Sequence, residues 1–153
     1  MNIAIVERAP ARVACLSYSG PFGEPLGRFW RGTVSPWLAE RDLMDCPRYG
    51  LCIDDPTNMP PDNCRYDACV ELPAGLALPD ADESTIAGGR YAVVPFRGTA
   101  AQIGAAWTAF FNGATAHGMA RDAARPLIEH YPRGAPYDHR TGAFACELCM
   151  PVR

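Results

Sequence analysis

The residue with the clearest potential for chemistry is Glu129, in the strand-like segment from Leu127 to Tyr131. Side chains two residues apart lie on the same face of a β-strand, so Glu129 shares its face with Leu127 and Tyr131. Burial beside an aliphatic and an aromatic group raises the pKa of a carboxylate unless it is paired. Such an acid can bind a cation or act as a general acid or base. The alternative is an edge strand on which Glu129 is solvated or paired with an arginine.

Other polar residues are weaker candidates for catalysis. His130 follows Glu129 directly, so the two side chains point to opposite faces of a strand and cannot form a catalytic pair by adjacency. We expect a solvated or structural role for Glu147, and ordinary surface roles for His117 and His139 in their loop-like segments. The sequence offers no Cys-His or Ser-His-Asp arrangement.

The seven cysteines lie mostly in apolar runs, as around Cys15 and Cys69, and are expected to be buried, reduced thiols. Cys146 and Cys149 have the C-x-x-C spacing of redox and zinc motifs. They fall in a strand-like run, however, where residues i and i+3 point to opposite faces. The remaining cysteines lack zinc-ligand spacing. We therefore expect neither a metal nor another cofactor.

Aromatic residues give a second indication of a binding site. They recur at helical spacing in two predicted helices, where large apolar groups commonly pack against a sheet. If the helices flank a seam that contains Glu129, an aromatic cage with one acid would suit a flat, lipophilic cation. Core packing and a pocket wall both remain open for them. The residues are Phe22, Trp30 and Trp37 in and before the first helix, and Trp107, Phe110 and Phe111 in the second.

The sequence repeats itself at an offset of 78 residues, because residues 12–20 align with residues 90–98. Tyr66 falls on Phe144 at the same offset. Two like units packed about a pseudo-two-fold axis leave a seam, and such seams are favoured sites for small ligands. The offset also makes Leu51 the counterpart of Glu129, so that an acid stands where the other copy has a core residue.

Each predicted unit has the order strand, helix, strand, strand. The segment 73–89, with its Pro, Gly and acidic residues, is predicted to be a surface connection. The predicted fold is α+β: one domain, residues 1–153, with repeats at about 2–73 and 88–153, a mainly antiparallel sheet, two long helices and a central ligand groove. The predicted strands are 2–18, 49–54, 65–72, 90–96, 126–132 and 144–152. The predicted helices are 24–40 and 99–115, and Pro36 is expected to kink the first.

Composition narrows the class of function. The 153 residues are 48% hydrophobic, which is enough for a substantial core. The net charge is −3 and the basic residues are scattered, which disfavours direct nucleic-acid binding. No run approaches the roughly 20 apolar residues of a membrane span, and the N-terminus does not resemble a signal peptide. We expect a cytoplasmic protein that binds neither nucleic acid nor membranes.

Several segments together resemble the gyrase-inhibitor-like (GyrI-like) small-molecule-binding domain, which is also the effector domain of AraC-type and multidrug-responsive MerR-type regulators. The resemblance covers nearly the whole chain and implies two strand-helix-strand-strand modules with a ligand groove at their junction. It also implies that Glu129 faces the ligand. We expect a stand-alone member without a helix-turn-helix. The segments are Val13-Ala with Gly20-Pro-Phe22, residues 49–56 with Arg65-Tyr-Asp-Ala-Cys69, residues 88–93, Trp107 with Phe110-Phe-Asn112, and Pro126 with Glu129 and Tyr131.

The resemblance implies two related activities. Stand-alone members are similar to the gyrase inhibitory protein, which protects cells from gyrase poisons, and others hydrolyse cyclopropane-bearing DNA-alkylating compounds with the glutamate and a nearby aromatic. The first hypothesis is therefore a binding module that captures a lipophilic, cationic or planar toxin above Glu129. The aromatic residues expected around the ligand are Trp107, Phe111, Phe22, Tyr66 and Tyr131.

Two further hypotheses remain. In the second, the protein is a hydrolase in which Glu129 activates a water that opens a strained electrophilic ring, while the hydroxyl of Tyr66 or Tyr131 positions it. In the third, the protein inhibits DNA gyrase through a surface, and the acidic segment with Asp80, Asp82 and Glu83 contacts a basic partner. The third ranks last, because acidic loops are usually solvated.

Overall fold

Eight antiparallel strands form one continuous sheet in the computed structural model, which describes residues 1–153. The α+β prediction, with its mainly antiparallel sheet, is confirmed. The strands are β1 Ala4–Arg8, β2 Ala11–Ser19, β3 Arg48–Cys52, β4 Arg65–Glu71, β5 Asp82–Ile86, β6 Gly89–Gly98, β7 Leu127–Tyr131 and β8 Phe144–Pro151. Across the sheet they follow the order β1-β6-β8-β7-β3-β4-β2-β5.

The strand order is symmetric about the central pair β7–β3. Outward from that pair, β8, β6 and β1 on one side match β4, β2 and β5 on the other. The two edge strands are exchanged between the units: β1 begins the chain but pairs with β6, while β5 leads into the second unit but pairs with β2. The segment 73–89, predicted to be a connection only, thus contains β5. Backbone pairing along the exposed edge of β2 orders these residues despite their polar character.

Strand pairing corrects the offset between the repeats. The shift of 78 residues holds from β1 to β5 and from β2 to β6. The central strands β3 and β7, by contrast, are related by a shift of 79, because Arg48–Cys52 corresponds end to end to Leu127–Tyr131, and Gly50 and Glu129 are also directly paired. A one-residue change of register moves a side chain to the other face of a sheet. The counterpart of Glu129 is therefore Gly50, and the prediction of Leu51 was wrong.

The pairing of the next strands, β4 and β8, changes a second correspondence between the two repeats. Ala68 is paired with Gly50, and Leu148 is paired with Glu129, so β4 and β8 are related by a shift of 80 residues. Tyr66 then corresponds to Cys146 and not to Phe144. The second unit is therefore one residue longer than the first between β6 and β7, and again one residue longer between β7 and β8.

The first helical segment matches the predicted range 24–40 but is not uniform. It consists of α1 Glu24–Phe29, a π-helical turn Trp30–Val34 and α2 Ser35–Glu40. Proline in a helix interior removes a hydrogen bond and clashes with the preceding turn, and here the wider π turn ends directly before Ser35 and Pro36. The second helix, α3 Ile103–Ala116, begins four residues later than predicted. None of the helices is both long and apolar enough to cross a membrane.

Both faces of the sheet are buried. The segment 24–40 packs on the half of the sheet that contains β4, and α3 packs on the half that contains β8. On the opposite face, Val13 and Ile86 from one end of the strand order cluster with Tyr91 and Val93 from the other end. No helix packs against this cluster, yet Val13 and Tyr91 are fully buried, so the sheet curls round on itself and covers them. The helices therefore lie outside the curl, over the central strands.

Two cysteines form a disulfide. Cys15 on β2 and Cys69 on β4 are directly paired, with their Cα atoms 4.2 Å apart, and their sulfurs are bonded. The prediction that all cysteines are reduced was wrong for this pair, because the register that brings them together is not visible in the sequence. Cys46, Cys52, Cys64, Cys146 and Cys149 are free.

Candidate functional site

A cavity of about 880 Å³ lies above the central strands β3 and β7, between the first helical segment and α3. It is located at the pseudo-two-fold axis, where the two units meet. Its walls are largely aromatic and aliphatic, and the loops 53–57 and 134–142 border it. The principal lining residues are Phe22, Leu26 and Trp30 on one side, Ile103, Trp107 and Phe111 on the other, and Arg48, Cys52, Leu127, Glu129 and Tyr131 from the strands.

Glu129 lies at the floor of the cavity and is only 5% exposed. Its strand is central in the sheet, so the edge-strand alternative does not apply. The hydroxyl of Tyr66 donates a hydrogen bond of 2.7 Å to Oε1, and the hydroxyl of Tyr131 approaches the same oxygen at 3.4 Å. The thiol of Cys52 lies 3.9 Å from Oε2. All of these partners are uncharged donors, so the acid has no counter-ion.

Burial raises the pKa of Glu129, because the charged form loses its hydration. The hydrogen bond from Tyr66, the nearby indole N–H of Trp107 and the hydroxyl of Tyr131 oppose this increase only in part. The indole N–H faces the carboxylate but meets no acceptor within hydrogen-bonding geometry. The pKa values of Tyr66 and Tyr131 are raised well above the ordinary value, first by burial and then by the charge of Glu129. Both hydroxyls therefore stay protonated and act as donors.

Tyr66 orients the acid from behind. It is fully buried on β4 and does not line the cavity. Its hydroxyl accepts a 3.0 Å hydrogen bond from the indole N–H of Trp30 while it donates to Glu129. Phe22 and Trp30 pack against its ring in edge-to-face geometry, with ring centroids 5.8 and 6.3 Å away. The π turn that presents Trp30 is thus connected through Tyr66 to the carboxylate.

Gly50 provides the space for this arrangement. A Cβ atom at this position would lie 1.8 Å from the hydroxyl oxygen of Tyr66 and 2.7 Å from Oε1 of Glu129. Both distances are far below van der Waals contact, so any side chain would displace the pair. Since Gly50 is the symmetry counterpart of Glu129, one unit supplies the acid and the other supplies the space that the acid and its donor occupy.

The structure brings most of the residues named from the sequence to one place. Glu129, Trp107, Phe111, Phe22 and Tyr131 all line the cavity, whereas Tyr66 lies beneath it. Of the other aromatic residues, Trp30 also lines the cavity. Phe110 of α3 is fully buried in the core. Trp37 stacks against the guanidinium of Arg41, 4.3 Å from the ring centroid.

The sequence reasoning missed Gly50, Cys52, Arg48 and the role of Trp30. Trp30 follows Leu26 by four residues, so helical spacing places the two on one face, and this signal could have assigned Trp30 to the wall. Alternation along β3 places Arg48, Gly50 and Cys52 on one face, but only the register with β7 shows that this face is the one that carries Glu129.

Most of the remaining polar candidates lie elsewhere, whereas His139 lies on the loop 134–142 that borders the cavity. His130 is on the opposite face of β7 from Glu129, as strand alternation predicts, where its Nδ1 is 2.6 Å from Oε1 of Glu147. The acidic residues Asp80 and Glu83 form ion pairs with Arg41 and Arg12 of the same chain. No group of three or more His, Cys, Asp or Glu side chains is arranged to hold a metal ion.

We predict that Gly50→Ala disrupts the site, because the new methyl group overlaps the Tyr66 hydroxyl. Overpacking of this kind typically costs about 1–3 kcal/mol. Urea denaturation should show that loss, and near-UV circular dichroism should report the displaced tyrosine. The matched control is Gly32→Ala, where nothing lies within 4 Å of an added Cβ atom. Equal stability of the two variants would contradict the prediction.

A second prediction concerns pH. Because the pKa of Glu129 is raised in the folded protein, this group favours folding most below its unfolded-state pKa, and the contribution is lost as the pH rises through the folded-state pKa. The wild type should therefore lose stability relative to Glu129→Gln as the pH rises above about 4, the ordinary range of a carboxyl group, by roughly 1.4 kcal/mol for each unit by which the pKa is raised.

Urea denaturation at a series of pH values measures this difference. The exposed variant Glu40→Gln serves as the control and should run parallel to the wild type across the range. A stability difference between wild type and Glu129→Gln that does not change with pH would show that Glu129 is ionised with an ordinary pKa.

Comparison with known proteins agrees with this geometry. The family model described as "GyrI-like small molecule binding domain" matches residues 1–153. A DNA gyrase inhibitor from Cronobacter sakazakii is 32% identical over 157 residues, which cover 100% of this chain and 98% of the relative. Among solved structures, SAV2435 bound to tetraphenylphosphonium has a TM-score of 0.69 at 16% identity and covers 100% of this chain and 94% of its own. The C-terminal domain of EcmrR has a TM-score of 0.71 at 11% identity, with 99% and 97% covered. The chain therefore belongs to the GyrI-like family of small-molecule-binding domains.

Proposed function

We propose that this protein captures a lipophilic, cationic or planar toxin in the cavity above β3 and β7, with Glu129 as the group that recognises it, and so confers toxin resistance. One observation carries the proposal. An acid without a counter-ion lies at the floor of an aromatic cavity and is held by neutral donors. A cationic ligand would supply the missing counter-charge.

The energetics of the buried acid favour a cation over a neutral ligand. Burial makes the ionisation of Glu129 less favourable than it is in water. A cation near the carboxylate opposes this effect, and the Tyr66 and Tyr131 hydroxyls then stabilise the ionised form. The faces of Trp30, Trp107 and Phe111 provide stacking and cation–π contact.

The comparisons support the same ligand class. Tetraphenylphosphonium, the compound bound to SAV2435, is a lipophilic cation with aromatic groups around its charge. The relatives named DNA gyrase inhibitor support, separately, a function in which the protein acts on DNA gyrase itself.

We predict that tetraphenylphosphonium binds to the wild type and that Glu129→Gln weakens binding at least about tenfold, or roughly 1.4 kcal/mol. Isothermal titration calorimetry in two buffers of different ionisation enthalpy measures the affinity and the protons released when Glu129 ionises. The control is Glu147→Gln, on the opposite face of the sheet. Equal affinities of wild type and Glu129→Gln, with no proton release, would exclude Glu129 as the recognition group.

A hydrolase is the second candidate, and the position of Tyr131 favours it. Its hydroxyl lines the cavity 3.4 Å from Glu129, so an acid of raised pKa and a phenol face the same space. Ionised Glu129 would accept a proton from a water as the water oxygen bonds to a cyclopropane carbon. The broken carbon–carbon bond leaves its electron pair on the conjugated acceptor of the toxin, which is then protonated.

Product analysis separates the two candidates. Incubation with a cyclopropane-bearing alkylator, followed by mass spectrometry, should reveal a product heavier by one water if the protein is a hydrolase. That product should be absent with Glu129→Gln and greatly reduced with Tyr131→Phe. Recovery of the intact compound in stoichiometric amount would leave capture as the function.

Gyrase as a protein partner remains a prediction that rests on the name of the relatives. The acidic segment first considered for this contact is partly neutralised, because Asp80 and Glu83 are paired within the chain. A supercoiling assay with purified gyrase, with and without the protein and in the absence of any toxin, tests it directly.

A further inference from the structure

The cavity that contains Glu129 also contains a partly buried positive charge without a partner, that of Arg48, whereas Arg121 at the same cavity is exposed to solvent. Arg48 is the first residue of β3 and lies opposite Tyr131, two residues from the position of Gly50 opposite Glu129. Its guanidinium lies over the ring of Tyr131, 5.8 Å from the centroid. Its buried Nε has no hydrogen-bond partner, and the side chain forms no ion pair. Arg31 in the same wall differs, because Glu24 binds it at 2.9 Å.

The nearby acids leave this charge uncompensated. Asp54 lines the same cavity, but both of its oxygens are bound by the side chain of Arg65. Asp45 also lines the cavity and forms no ion pair with Arg48. A partly buried guanidinium that lacks an anion has lost hydration without a replacement, which is unfavourable. The arrangement is therefore complete only when a ligand supplies the anion.

The hydrogen-bonding groups of the cavity indicate the same ligand chemistry. Oε1 of Glu129 already accepts from Tyr66 and is approached by Tyr131. The unsatisfied buried atoms, by contrast, are both donors: Nε of Arg48 and Nε1 of Trp107, whose side chain lines the cavity while the residue is only 8% exposed. A ligand that carries acceptors satisfies these atoms, whereas a purely hydrocarbon cation does not.

We propose that Arg48 forms an anion-accepting subsite and that the ligand is an aromatic zwitterion, with its cationic or electrophilic centre near Glu129 and a carboxylate at Arg48. A planar carboxylate matches the two-donor geometry of a guanidinium. Arg48 and Glu129 are diagonal neighbours on adjacent strands, about 7–8 Å apart, which a fused aromatic system spans. The inference rests on the proposed function and narrows its ligand class.

The test compares two fluorescent probes that share a cationic xanthene body. Rhodamine B carries a free carboxylate, and its ethyl ester does not. Fluorescence anisotropy with the wild type should show roughly tenfold tighter binding of the acid, the range expected for a hydrogen bond between charged groups. Arg48→Gln should remove this preference by weakening binding of the acid while the affinity for the ester is unchanged. Arg31→Gln, at the arginine that Glu24 already binds, should leave the preference intact.

The outcomes separate this inference from the proposed function. If the wild type binds acid and ester equally, and both depend on Glu129, capture of cations stands and the anion subsite is overturned. If Arg48→Gln weakens both dyes equally, Arg48 acts only in packing, and the subsite is again overturned. If the wild type binds neither dye, both proposals fail for this ligand class. The acid-to-ester comparison in the wild type needs no variant, so a misfolded Arg48→Gln protein would still leave a decisive result.

Discussion

The hydrogen bond from Tyr66 to Glu129 is the interaction around which the cavity is organised. It joins β4 to β7 across β3, and it is possible only because position 50 on the intervening strand has no side chain. A carboxylate that is 5% exposed and has no counter-ion would be poorly tolerated without such donors. The glycine, the tyrosine and the acid therefore constrain one another, and no one of the three can change without consequences for the other two.

The two helical segments contribute to this group in different ways. The π turn holds Trp30 where its N–H reaches the back of Tyr66, so the first helical segment is coupled to the orientation of the acid. On the other side, Trp107 of α3 stacks with Phe111 and keeps its own N–H unsatisfied. The N–H of Trp30 thus supports Tyr66, while the N–H of Trp107 has no hydrogen-bond partner. The corresponding helical segments of the two units therefore contribute differently to the cavity.

Sequence reasoning predicted the fold class and many of the residues that line the cavity, because both depend on local periodicity. Alternation along β7 was enough to place Glu129 and Tyr131 on one face and His130 on the other. The register of the strands could not be predicted from the sequence, because it depends on pairing between segments far apart in the chain. A single-residue error made Leu51, rather than Gly50, the counterpart of Glu129. The Cys15–Cys69 bond was missed for the same reason, and β5 was missed because its polar residues are ordered by pairing rather than by burial.

The symmetry of the central strands has a consequence for how such a site can arise. Gly50 and Glu129 face each other across the axis that relates the two units, so in a true homodimer of one unit both positions would hold the same residue. Two glutamates there would repel each other, and two glycines would leave no functional group. Duplication within one polypeptide removes this restriction, because each copy can then mutate on its own. An acid in one unit that faces a glycine in the other is therefore an arrangement that two identical units cannot form.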